Sequence, residues 1–584
     1  MPGRWREPKQ WFRRSMGVEQ PEEPAESAGR DARSMTRRIG AGVLTAAAAL
    51  LVLVALTFPD RLDQLHPSAF IRLPVEALVY LVLVLLIPAR FHALRTGLAL
   101  VAGLLLGLTL ILRLLDMGFL QALNRPFDVV IDWTYTRDLI ELVRDSFGKG
   151  LGTFMLLAAA VLAIGLLVLL PLAVLRLTRL TVGHRQAGLR TVAALAAVWL
   201  VLALTDVRVS TGDIASRDTS GYLYGQVSRI PSVLRDQRQF ETAAQKDSLR
   251  RYQAANLVSG LRGKDVLFVF VESYGKVAVQ DSSLSKGVSE VLASSSKDLD
   301  NAGFHSRSAW LTSPTFGAIS WLAHSTFQSG LWVDSQQRYD VLVTSRRQTL
   351  SQIFGQAGWR TVADIPANNR AWPQGAFYQY DHIYDSRNVG YRGPRFGYPT
   401  MPDQYTLDAF HRLELARKDR RPVMGEIDLI TSHAPWSRTP RMIKQAAVGD
   451  GSVYDGMPEQ LPSERDIWPS PTRVKKAYGE SIEYSLKALT KFITTYADDN
   501  TVLVFLGDHQ PAPIVSGNNA SHDVPVAIVA HDPKVIDRIS GWGWDPGIHP
   551  SPEAPEWRMD SFRDRFLGAY GSVRLAGTQA ASSH

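Results

Sequence analysis

Several short stretches of this sequence end in residues able to hold a cation or move a proton. Residues 502–506 (VLVFL) run into Gly507-Asp508-His509, and residues 266–271 (VLFVFV) run into Glu272-Ser273. Residues 427–430 run into Thr431-Ser432-His433-Ala434-Pro435, and His522 stands just ahead of the apolar run 524–530. In WLTSPTFGAISWLAHSTFQSG, Ser313-Pro314 is a helix start signal, and Ala318, Trp321, Leu322 and Ser325 follow at helical spacing. That pattern predicts a helix with Thr315 in its first turn, where free N–H groups and the positive end of the dipole suit a phosphate. The dipole contributes only about 0.3–1 kcal/mol, too little to make a threonine nucleophilic, so this chemistry calls for a metal.

Glu272, Asp508, a histidine (His433 or His509) and a threonine oxygen form a plausible four-ligand set for a divalent cation such as Mn²⁺ or Zn²⁺. Buried together without an ion, the two carboxylates would repel and one would take up a proton. Each residue alone reads as a polar group at the end of a strand, and His433 alone as a surface histidine. The chain has no cysteine, which excludes disulfides, thiolate zinc sites and cysteine nucleophiles.

The elements that must position these groups alternate from residue 264 onward. Continuous apolar runs predict central parallel strands buried on both faces, with helices between them. In such sheets ligands bind beyond the carboxyl ends of the strands, which is where Glu272, His433 and Asp508-His509 fall. The expected fold is therefore an α/β domain with a mostly parallel central sheet.

Ahead of it lie five apolar runs, roughly residues 40–57, 73–87, 96–112, 151–175 and 191–205, which predict a five-helix transmembrane domain. The N-terminal arm, the loop with Arg90 and Arg95, and the loop with Arg176, Arg179, Arg185 and Arg190 are basic, which predicts a cytoplasmic side for all three. An odd number of crossings then places everything after Asp206 outside. Residues 132–147 read as an amphipathic or a connecting helix. The net charge of +8 sits partly in the mixed-charge arm, which reads as a disordered segment beside a membrane; nucleic acid is not an expected partner. The expected organisation is a cytoplasmic arm (1–38), a membrane domain (39–206), a linker or stalk (207–263), an extracytoplasmic catalytic domain (264–532) and a C-terminal surface extension (533–584).

Membrane spans followed by V-E-S, a threonine at a helix start, S-H-A-P-W, G-D-H and V-P-V resemble a known family. It is the lipoteichoic acid synthase and phosphoethanolamine transferase branch of the alkaline phosphatase and sulfatase superfamily. The resemblance implies that Glu272, Asp508 and His509 hold the metal, and that Thr315 is both a metal ligand and the nucleophile. It implies substrate-binding roles for His433, for Trp372 with Arg370 nearby, and for His522, which matches an additional histidine of the phosphoethanolamine transferases. Three departures stand out: the family's Trp-Asn-Arg appears as Trp372-Pro373-Gln374, Gln510 stands where many relatives have glycine, and the spacing from Asp508 to His522 is short.

The resemblance further implies one divalent metal ion, Mn²⁺ ahead of Zn²⁺ or Mg²⁺, and a multi-pass protein of the bacterial plasma membrane. The implied reaction moves a phosphoglycerol-type head group from a phosphatidylglycerol-like donor in the lipid bilayer. The group passes through a phosphothreonine to a hydroxyl of a glycolipid or cell-envelope polymer. Hydrolysis by a phosphodiesterase or phosphatase, phosphoethanolamine transfer, and a non-catalytic scaffolding role are the alternatives.

Overall fold

The computed structural model describes residues 24–135, 140, 149–205, 207–209, 212–280, 284–573 and 575. Most of the predicted basic arm and most of residues 132–147 lie outside them. The described residues fall into two compact units. One comprises residues up to 58, 66–110 and 161–219; the other comprises 59–65, 111–160 and everything from 220 onward.

Among the described residues four helices are long and apolar enough to cross a membrane: Met35–Thr57, Ala89–Leu123, Gly150–Gly183 and Arg185–Leu204. The count of five is corrected to four. The remaining apolar helix, Val75–Leu86, has 12 residues, which rise about 18 Å against a hydrocarbon core of about 30 Å. Within the first unit, Gly103 and Gly107 lie one turn apart. Cβ atoms added there would meet the Pro171 backbone at 2.3 Å and the Leu166 carbonyl at 3.2 Å. This is the close backbone approach that small residues permit between membrane helices.

The second unit is built on a nine-stranded sheet. In chain order its strands are β1 (Asp265–Val271), β2 (His305–Thr312), β3 (Arg360–Ile365), β4 (His382–Asp385), β5 (Val423–Leu429), β6 (Thr501–Gly507), β7 (Asp523–Ala530), β8 (Asp545–Pro546) and β9 (Glu556–Arg558). The spatial order is β8-β2-β7-β6-β1-β5-β3-β4, with β9 on β2. The run β6-β1-β5-β3-β4 is parallel throughout, and β7 is antiparallel to both β6 and β2. Alternation along β1 explains its unbroken apolar sequence. Leu267, Val269 and Val271 face one core with Val288, Ile482 and Leu489, and Val266, Phe268 and Phe270 face the other with Phe327, Phe354 and Phe566. Each such side chain, fully buried, contributes roughly 1.5–3 kcal/mol.

Residues 533–575 are not a surface extension. Strand β9 pairs with β2, and Phe562 and Phe566 of the helix Phe562–Tyr570 pack on Phe327 and Phe268 at ring-centroid distances of 4.6 and 5.5 Å. The stalk also joins the domain at its end, since Leu249, Leu257 and Leu261 lie in the same core. Pro- and Trp-rich composition hid this, because β8 and β9 are only two and three residues long.

Candidate active site

Strands β1 and β6 are adjacent and parallel, with Val271 in register with Gly507, so Glu272 and Asp508 emerge side by side at one sheet edge. Close approach is required there: a Cβ on Gly507 would lie 1.9 Å from the Tyr274 carbonyl. Asp508 Oδ1 accepts the backbone N–H groups of Ser273 and His509, both at 2.7 Å. Ser273 Oγ donates to Glu272 Oε1 at 2.9 Å. Gln510 is buried beneath the turn, where its Oε1 accepts from Val277 N at 3.2 Å.

Glu272, Asp508 and His509 bring one potential ligand atom each within 4.8 Å of one another. His509 Nδ1 lies 2.8 Å from the Gln510 carbonyl, which can only accept, so Nδ1 carries the proton. In the neutral ring Nε2 is then a lone pair, facing Glu272 Oε1 at 3.4 Å and Asp508 Oδ2 at 3.5 Å. Three potential ligand atoms thus face one another. The spacing is close to the ~3.3–3.4 Å edge of a tetrahedron drawn with ~2.0–2.1 Å bonds. These residues fit a divalent cation. Burial, followed by the Glu272 charge, pushes Asp508 up to about 6.

Besides Ser273, the hydroxyl within hydrogen-bond distance of this cluster among the described residues is that of Ser320, whereas that of Thr315 makes no hydrogen bond. Ser320 Oγ lies 3.0 Å from Glu272 Oε2 and 3.2 Å from His509 Nε2. Ser320 is the first residue of the helix Ser320–Ser329. The predicted start at Ser313-Pro314 is displaced because Gly317 (φ +73°) and Ile319 (φ +70°) adopt left-handed conformations that no helix accepts. The loop is pinned by the Gly317 N–H donating to the Gln510 carbonyl at 2.9 Å. A β-branched residue at positive φ is strained, and such strain clusters at functional sites. Thr315 is buried in the loop, its hydroxyl without a hydrogen bond among the described residues. The sequence signal for Ser320 was a hydroxyl residue immediately ahead of the helical repeat of Trp321, Leu322 and Ser325, with Gly317 just before it.

A cleft of about 380 Å³ opens beside the cluster, lined by Glu272, Ser320 and Asp508 and, farther along, by Trp372 and His433. His433 stacks on Tyr398 at 3.7 Å, and burial lowers it to about 4, so it is neutral at physiological pH. Trp372 Nε1 donates to the Tyr339 hydroxyl at 3.2 Å. Arg370 is exposed and does not line the cleft. His522 also lies outside it, with Nδ1 3.2 Å from the Ser313 carbonyl, and burial lowers its pKa. Sequence reasoning missed three further lining residues: His324, Glu426 and Asp428. Burial alone would lower His324, but Asp428, Glu426 and Asp508 outweigh it and raise it to about 9. Burial pushes Asp428 up to about 7. Among the described residues no lysine or arginine lines the cleft.

Residues 265–526 match the sulfatase family. Among solved structures, the chain is similar to the lipoteichoic acid synthase LtaP from Listeria monocytogenes. The identity is 13%, over 55% of this chain and 75% of that one, with a TM-score of 0.36. It is also similar to the periplasmic domain of EcEptC from Escherichia coli in complex with Zn (13%, 53% and 82%, TM-score 0.35). The Streptococcus pyogenes phosphoglycerol transferase GacH in complex with sn-glycerol-1-phosphate is a third (13%, 59% and 91%, TM-score 0.32). No curated protein matches the sequence.

Proposed function

With residues 265–526 matching the sulfatase family, we propose that this chain is a membrane-anchored, metal-dependent phosphotransferase of the alkaline phosphatase and sulfatase superfamily with Ser320 as its nucleophile. The observation that carries this reading is the Ser320 hydroxyl at 3.0 Å from Glu272 and 3.2 Å from His509, at the first turn of a helix. Glu272, Asp508 and His509 would hold one divalent ion, Mn²⁺ or Zn²⁺. When bound, it supplies positive charge that favours the ionised hydroxyl and offsets charge on the phosphoryl oxygens.

The chain's own residues do the rest. Ser320 Oγ bonds to phosphorus as the bond to the lipid alcohol breaks, and the proton the hydroxyl gives up is balanced by the one the leaving alkoxide takes. The helix N-terminus orients free N–H groups toward the anion. His433, neutral and stacked on Tyr398, is suited to hydrogen-bonding a substrate oxygen without adding fixed charge. Trp372 and Tyr378 offer an apolar wall to the head group. An acceptor hydroxyl on a glycolipid or envelope polymer then bonds to phosphorus from the solvent side as the bond from phosphorus to Ser320 Oγ breaks, and the proton the acceptor gives up is balanced by the one Ser320 Oγ regains. A phosphoglycerol-type group from a phosphatidylglycerol-like donor is the first substrate to test, with phosphoethanolamine and simple hydrolysis as alternatives.

The catalytic domain belongs on the extracytoplasmic face in this reading. Arg179, Arg185 and Arg190 flank the turn between Gly150–Gly183 and Arg185–Leu204, which favours the cytoplasm there, and a single crossing separates that turn from the domain; with four crossings in place of five, this reading puts the N-terminal arm on the same side as the domain, against the cytoplasmic arm expected from its charge. Turnover of a fluorescent phosphatidylglycerol, with and without acceptor glycolipid, tests the proposal. Loss of turnover in Ser320→Ala supports it. Free glycerol phosphate as the sole product would reassign the chain as a hydrolase.

A further inference from the structure

One turn beyond Ser320 on the same helix, His324 faces a second ligand cluster in the same cleft. His324 Nδ1 lies 3.1 Å from Glu426 Oε1 and 3.5 Å from Asp428 Oδ1, and the three ligand atoms fall within 4.8 Å of one another. Both acids stand on β5, next to β1, with Asp428 in register with Phe270.

Surrounding groups hold these atoms in place. Phe270 stacks on the His324 ring at 3.8 Å, which fixes its plane. Glu426 Oε2 accepts from the Tyr380 hydroxyl at 2.6 Å and from Gln328 Nε2, and the Gln328 carbonyl oxygen in turn accepts from Ser351 N. Oε1 is thereby turned toward His324. Such hydrogen-bonded support of the ligand side chains is a regular feature of metal sites. Asp428 Oδ1 is withdrawn from solvent and has no hydrogen bond. Beneath it Asp364 is fully buried, with neither carboxylate oxygen hydrogen-bonded, and Asp428 is the first of the charges acting on it.

Charge balance points the same way. Four carboxylates line the cleft (Glu272, Glu426, Asp428 and Asp508), with no lysine or arginine among the described residues that do so. One divalent ion at the first cluster offsets Glu272 and Asp508. A phosphate entering the cleft would still meet Glu426 and Asp428, which His324 alone, even as an imidazolium, does not neutralise.

We propose that His324, Glu426 and Asp428 form a second divalent-cation site, distinct from Glu272-Asp508-His509. Two carboxylates and an imidazole suit a borderline or hard ion such as Zn²⁺ or Mn²⁺. The site places positive charge along the wall of the cleft, on the path of an anionic head group. The metal stoichiometry stands without the phosphotransferase reading; only this role for the charge rests on it.

The test counts metal rather than turnover. Full-length protein in detergent is stripped with chelator, loaded with Zn²⁺ or, separately, Mn²⁺, desalted and measured by elemental mass spectrometry. The expected result is two equivalents in the wild type, one in Asp428→Asn, one in His324→Gln and one in Glu272→Gln, with thermal unfolding showing that each variant is folded. A single equivalent in the wild type overturns the proposal. So do two equivalents that neither Asp428→Asn nor His324→Gln reduces. If one cluster variant misfolds, the other decides. Loss of turnover in Ser320→Ala with both metals retained leaves this site standing, and two bound metals with an inert Ser320 would overturn the phosphotransferase reading alone.

Discussion

Ser320 and Thr315 are five residues apart in one loop-helix segment, and only one of them meets Glu272 and His509. The distinction is testable by substitution. Ser320→Ala should lower turnover by about 10³-fold or more, in keeping with removal of a covalent nucleophile, whereas Thr315→Ala should stay within about tenfold of wild type. Steady-state kinetics on the same lipid substrate measure both. His433 is a different case, because it borders the cleft without belonging to the ligand cluster. His433→Ala should raise KM more than it lowers kcat. Because burial holds the imidazole down at about 4, the His433-dependent part of activity should stay flat between pH 6 and 8. A third residue-scale prediction concerns Asp403, buried at the start of the helix Asp403–Phe410, where it accepts from Ser485 Oγ at 2.6 Å and from Thr431 N at 2.9 Å. Burial raises its pKa from 3.8 to about 6. A raised carboxylate favours the protonated fold, so its contribution is full below about pH 4 and is lost as pH rises through about 6. Asp403→Asn should therefore stabilise the sheet domain by about 1–3 kcal/mol at pH 8 and by nothing measurable near pH 4, as read from thermal unfolding at the two pH values.

At the scale of elements, the strands that carry the ligands were legible because each is a short unbroken apolar run ending in a charged residue. Sequences 266–271 and 502–506 could hardly be anything but buried parallel strands, while the adjacency of β1 and β6 is shown by their pairing in the sheet. The helix start was not legible. Ser313-Pro314 is an ordinary start signal, but the positive φ of Gly317 and Ile319 and the bridge to Gln510 depend on a strand nearly two hundred residues away. Residues 533–575 misled for the opposite reason, since strands of two and three residues leave no periodicity to read. Two element-level tests follow. Gly507→Ala should cost about 3 kcal/mol, because backbone at Tyr274 has no room to give, and should displace Asp508. Phe566→Ala should cost about 3–5 kcal/mol through the cavity left against Phe268. Chemical denaturation followed by tryptophan fluorescence reads both.

For the whole molecule, the four long apolar helices and the cleft-bearing sheet domain fit an enzyme that meets its donor at a bilayer. The absence of cysteine makes the topology directly measurable. A cysteine introduced at exposed Lys418 should react with a membrane-impermeant maleimide applied to intact cells, and one at exposed Arg185 should react only after permeabilisation. The reverse pattern would place the catalytic domain in the cytoplasm. The most direct test of the account is the mass of the peptide carrying residues 313–329 after the full-length, metal-loaded protein is incubated with phospholipid and quenched in acid. A phosphoryl head-group adduct on Ser320, absent from Ser320→Ala and present in Thr315→Ala, is the predicted result. An adduct on Thr315, or turnover that survives Ser320→Ala, would contradict it.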